Sequence, residues 1–190
     1  NMTSAAAAQA AHFAAQIQIQ YPDYWPETVR GLIVHSARWT EALKTQFAEK
    51  DNKAELKQVL RACGYGVPDL TRALYCASNS LTLIVESELQ PFEKKGTSYS
   101  TKDMHLYELP WPKEILEELG EEDVEMRVTL SYFIEPGPGE IGWKDRYRYA
   151  SHLLRFDLNF PEEDKNSFEK RINKSAREEN EINAKTGVSS

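Results

Sequence analysis

At 190 residues, with 41% hydrophobic and 28% charged residues, the chain has the composition of a soluble globular protein, one ordinary domain or two small ones. A net charge of −7 excludes nucleic-acid binding through clustered Lys and Arg, and no apolar run approaches the ~20 residues needed to span a membrane. Cys63 and Cys76 lack zinc-ligand companions and make no disulfide framework. They read as reduced thiols, which points to a cytoplasmic location, and no cofactor or metal is implied.

In chain order, Asn1-Met2 reads as a tag remnant ahead of a native start at Thr3. Residues 4–20 read as an Ala-rich helix with Phe13 and Ile17 on one face. Pro22 ends it, and Pro26 opens a second helix with Val29, Leu32, Ile33 and Ser36 at helical spacing. Residues 40–53 are a polar helical extension or loop. A short amphipathic helix follows over 54–62, closed by Gly64, and another over 68–77. From residue 80 the period changes from 3.6 to 2. Leu81, Leu83 and Val85 alternate with Thr82, Ile84 and Glu86, and Val124, Met126, Val128, Leu130, Tyr132 and Ile134 repeat the pattern. Leu154, Phe156, Leu158 and Phe160 form a third such run, and His105-Leu106-Tyr107 a shorter one. Helices followed by strands predict an α+β chain whose residues 79–160 form an antiparallel β-sandwich-like module. In that module Val128, Leu130, Tyr132, Leu154, Phe156 and Leu158 face inward. Residues 161–190 are a charged helical or disordered tail.

Thr3-Ser4-Ala5-Ala6 places a serine at the first turn of the first helix, where free N–H groups and the dipole suit a developing oxyanion. The same residue is equally a common N-cap. The segment that follows resembles the C-terminal part of the subtilisin-like serine peptidases. Ala10-Ala11 and Ala14-Ala15 in the helix, the Tyr21-Pro22 break, Val29-Arg30 and Ser36-Ala37 carry the likeness. Gly64-Tyr-Gly-Val-Pro-Asp69 and Arg72-Ala-Leu74 carry it further, over about 78 residues. A bacterial, intracellular-type subgroup is suggested by Tyr21–Thr28, Ile33–Ala37, Leu109–Pro112, Arg127–Tyr132 and Tyr149–Phe156. Three positions depart from the family pattern: Met2 for Gly, Ala8 for Pro and Gln9 for His.

The resemblance implies that residues 1–78 close the subtilisin-like α/β catalytic domain and that Ser4 is its nucleophile. It implies a serine endopeptidase acting on a peptide or protein substrate, with the triad Asp and His outside this chain, since neither an Asp-x-Gly nor a His-Gly motif occurs here. The chain alone is then expected to be inactive. His12 lies too far along the helix to serve Ser4, and His35, His105 and His152 read as structural. The acidic run Glu114, Glu117, Glu118, Glu121, Glu122 and Asp123 lacks the Asp/Asn and Gly pattern of a calcium loop. Trp111, Tyr132, Phe133, Trp143, Tyr147 and Tyr149 read as sandwich core. A helix made to lie against a sheet, left without it, is expected to form a homodimer or higher oligomer through the N-terminal helices, or else to leave residues 1–20 mobile. The rival reading is a non-catalytic interaction module in which Ser4 only caps a helix.

Overall fold

The computed structural model describes residues 2–47, 52–78, 81–90, 92–96, 98–107, 109, 112–133, 156–160 and 162–186. The chain divides into two compact units, residues 1–131 and 132–190.

The first unit is built around three helices. α1 (Met2–Gln20) carries no charged residue, and only its C-terminal half is covered. Ile17 is buried there, beside Val29 and Leu32 of α2 (Pro26–Ser36) and Ala73 of α5 (Leu70–Ser78). Ala14, Tyr21, Tyr24, Leu70, Leu74 and Ile84 pack around them. The Tyr21–Tyr24 break between α1 and α2 is pinned from both sides. Gln18 donates to the Pro22 carbonyl at 2.8 Å, the Tyr21 hydroxyl donates to the Leu74 carbonyl at 3.1 Å, and the two tyrosine rings stack at 5.3 Å. Pro26 then starts α2 at a position where its missing N–H costs nothing.

α3 (Glu41–Phe47) and α4 (Lys53–Cys63) pack on each other. Asn52 caps α4, its Oδ1 accepting from the backbone N–H of Ala54 and of Glu55. The chain returns through Gly64 and Gly66 and forms an isolated antiparallel bridge between Arg38 and Val67. Gly66 has φ +99°, and a Cβ there would sit 2.3 Å from the Arg38 carbonyl oxygen. Only glycine fits so close an approach in that backbone region.

The expected β-sandwich-like module is absent among the described residues. They contain seven helices and one two-stranded antiparallel hairpin, β1 (Phe92–Lys95) with β2 (Ser98–Thr101), in a stretch where periodicity had marked no strand. The two alternating runs of the first unit are present as chain without sheet. In both, the predicted period holds but the other face is turned in. Thr82, Ile84 and Glu86 are half-buried while Leu81, Leu83 and Val85 are exposed. Arg127, Thr129 and Ser131 are half-buried while Val128 and Leu130 are exposed, reversing the expected inward set. Inside and outside are decided by specific anchors. Glu86 Oε1 accepts from the Trp25 backbone N–H at 2.8 Å, capping α2 from a distant segment, and Ile84 reaches the core. α6 (Lys113–Leu119) holds the first half of the acidic run.

In the second unit, Phe156 and Leu158 are exposed rather than inward, Tyr132 is half-buried, and Leu154 lies outside the described residues. Its ordered centre is Arg171 on α7 (Lys165–Thr186). The guanidinium donates to both carboxylate oxygens of Glu163 at 2.9 Å and to the Leu158 carbonyl at 2.7 Å, and lies over the Phe160 ring at 4.4 Å. Those bonds hold the Glu163 carboxyl below the usual carboxylate range. Among the described residues of this unit, these charge-assisted bonds fasten α7 to residues 157–163.

Candidate functional site

Ser4 lies in the first turn of α1, within the helix and exposed to solvent. The first N–H groups of any helix lack intrahelical partners, and its dipole end is positive. With no Asp, Glu, Lys or Arg between Met2 and Gln20, no side-chain charge on α1 offsets that field. The position can therefore stabilise an oxyanion but cannot by itself deprotonate a hydroxyl.

None of the described histidines is placed to serve Ser4 by the contacts it makes. His12 is on the same helix, eight residues and about 12 Å of rise away. His35 Nδ1 meets Thr129 Oγ1 at 2.9 Å, and His105 Nδ1 meets Ser87 Oγ and the Tyr107 hydroxyl, both at 3.1 Å. His152 lies outside the described residues, as do Trp111, Trp143, Tyr147 and Tyr149. Glu114, Glu117, Glu118, Glu121, Glu122 and Asp123 are all exposed. Among the described residues no group of three His, Cys, Asp or Glu side chains could hold a metal ion. No described helix is long and apolar enough to cross a membrane.

Two polar arrangements were not foreseen. The first is centred on Ser36, a fully buried hydroxyl at the end of α2. It donates to the Ile33 carbonyl at 2.8 Å and accepts from the Asp69 N–H at 3.1 Å, while Arg72 Nη1 donates to the Ser36 carbonyl at 2.8 Å. Asp69 Oδ1 in turn accepts from the Arg72 N–H at 2.7 Å and starts α5. The Asp69-Leu-Thr-Arg72 spacing is a helix-start signal that could have located half of this node. The buried hydroxyl had none.

The second is a strap. Residues 125–131 run antiparallel along α2, fastened by Arg30 to Ser131 at 3.0 Å, His35 to Thr129 at 2.9 Å, and Arg127 to the Ala37 carbonyl at 3.1 Å. Gly31 leaves room for the strap, since a Cβ there would meet Ser131 Cβ at 3.3 Å. Arg127 donates twice to Glu125 Oε1, and those bonds hold that carboxyl below its ordinary range. Burial, then the neighbouring Arg127 and Arg38 cations, push the His35 imidazole below its ordinary value, against a smaller opposing pull from Glu125. The ring lies on α2 against the strap, hydrogen-bonded to Thr129.

A serine in the first turn of α1, a break at Tyr21–Tyr24, α2 and the Gly64–Gly66 return follow one another in this order. Residues 1–66, about a third of the chain, match the family model of the subtilase family. That stretch is a subtilase-like segment, and it runs from α1 to the Gly66 return. No curated protein and no solved structure matches the chain.

Proposed function

We propose that this chain is the C-terminal portion of a subtilisin-like serine endopeptidase of the bacterial intracellular type, with Ser4 as its nucleophile. The observation that carries the reading is the subtilase match over residues 1–66, which includes Ser4 in the first turn of α1. In the complete enzyme, Ser4 Oγ attacks the scissile carbonyl of a peptide and passes its proton to a histidine oriented by an aspartate, both from a preceding segment. The N–H groups at the start of α1 contribute to holding the oxyanion. The Ser36–Asp69–Arg72 node and the Arg38–Val67 bridge keep α2 and α5 in place behind α1. That layer braces α1 at its covered C-terminal half, around Ile17, while the first turn that carries Ser4 stands exposed.

The test is fluorophosphonate labelling. The chain of 190 residues is expected to remain unlabelled and without peptidase activity, because an unassisted serine hydroxyl is a weak nucleophile. The complete parent is expected to label at Ser4 and to lose labelling and casein hydrolysis in Ser4→Ala. A complete parent that hydrolyses casein equally well with Ser4→Ala would remove this residue from the mechanism.

A further inference from the structure

The strap has used its inner face and left its outer one unoccupied. Arg127, Thr129 and Ser131 are committed to α2. On the opposite side Val124, Met126, Val128 and Leu130 stand exposed at 57%, 40%, 42% and 53%. Alternate residues of an extended chain share a face, so these four form one apolar row. Between Val124 and Leu130 no main-chain N–H or C=O is bonded to another part of the described chain. An extended segment with open main-chain groups and an apolar row is a template for one more strand.

Charge selects the occupant. Just before the row, Glu118, Glu121, Glu122 and Asp123 are exposed. The cations close to that end of the strap, Arg38 and Arg127, are already engaged with Glu125, while Arg30 lies at the far end beside Ser131. The end of the row near residues 121–125 therefore presents negative charge. A second copy of this chain brings another net −7 to the encounter. A foreign segment with lysine or arginine at the matching end brings attraction instead.

We propose that residues 123–131 are a docking edge for an extended segment of another protein, with apolar side chains at alternate positions and basic residues opposite 121–125. The row takes its alternate side chains, the main chain of the strap pairs with its main chain, and the acidic end fixes its direction. This surface is independent of Ser4.

The experiment uses the whole chain carrying Ser4→Ala, so that no cleavage can consume the probe. The probe is a fluorescein-labelled decapeptide alternating valine and threonine and ending in two lysines, followed by anisotropy at low salt. Saturable binding is expected. N-methylation of alternate amides in the probe should weaken it about tenfold or more, because those N–H donors are what an added strand contributes. Exchanging the lysines for glutamates should weaken it about tenfold, and raised salt should shrink that difference. The double variant Val128→Thr with Leu130→Thr, still folded by circular dichroism, should bind at least about fivefold more weakly. Three results would overturn the proposal: no saturable binding at millimolar probe, equal binding of the N-methylated probe, or a dimer of the chain that the double variant dissolves. The last would identify the occupant as a second copy.

Discussion

Residues 2–78 and residues 81–133 differ in what stabilises them. In the first stretch each helix satisfies its own main chain, so an apolar stripe needs only a neighbouring stripe. Ile17, Val29, Leu32 and Ala73 provide that, and among the described residues every buried one lies between Ile17 and Ala73. In the second stretch the chain is mostly extended and must borrow partners. It finds them one at a time: Glu86 at the start of α2, Ile84 at the core, Arg127 at the Ala37 carbonyl, Thr129 at His35. A helix can be recognised from its own residues, whereas an extended segment is defined by what lies beside it.

The sharpest way to break the helical stretch is Gly66→Ala. The added Cβ meets main-chain atoms of Arg38 and Trp39 in a positive-φ conformation. A loss of about 3 kcal/mol or more is expected in urea unfolding followed by helical ellipticity. A loss under about 1 kcal/mol would mean that the return loop relaxes away from Arg38.

The contrast between the two stretches is sharpened by a pair of truncations. Ile17→Ala removes a fully buried side chain and should cost about 2–4 kcal/mol. Leu130→Ala removes a residue that is more than half exposed and should stay within about 0.5 kcal/mol. Equal losses would show that the outer row of the strap is packed in solution.

The smallest effect expected is the pH dependence of the strap. His35 titrates below its ordinary value of 6.5 in the folded chain, so the folded state binds the proton less readily than the unfolded one. Its contribution is complete above pH about 6.5 and is lost as pH falls through the lower folded value. Burial sets that direction first; Arg127 and Arg38 add to it by opposing the charged form, Glu125 favours the charged form, and Thr129 is the ring's hydrogen-bond partner. The urea midpoint should therefore fall between pH 7 and pH 5, and fall less in His35→Gln. Identical slopes would show that His35 does not sense the strap.

Much of the helical layer was legible because its signals are local. Pro22, Pro26, Gly64 and the 3.6-residue spacing marked α1, α2 and α4 to within a few residues, and Ser4 fell in the first turn as the Thr3-Ser4 opening suggested. Among the described residues no sandwich formed. Alternation at 81–86 and 124–131 reported correctly that such a segment has two unlike faces, but not which face a partner would claim. Apolar side chains would normally win the inside. Here a carboxylate that caps α2 and an arginine that reaches a helix-end carbonyl decided otherwise. The Ser36 node escaped notice for a related reason: a lone serine on an apolar face says nothing until Asp69, more than thirty residues on, arrives beside it.

The Arg38–Val67 bridge, with the Trp39 indole N–H donating to the Gly64 carbonyl at 2.9 Å, closes a narrow neck. Of the helices and strands described, α3 and α4 touch only each other. α3 and α4 hang from it as a separable appendage. Chain added or removed there is felt by α1, α2 and α5 chiefly through loop closure, at about 0.6 kcal/mol for each doubling of length. The region is thus free to drift in size and sequence while α1, α2 and α5 keep their packing around Ile17.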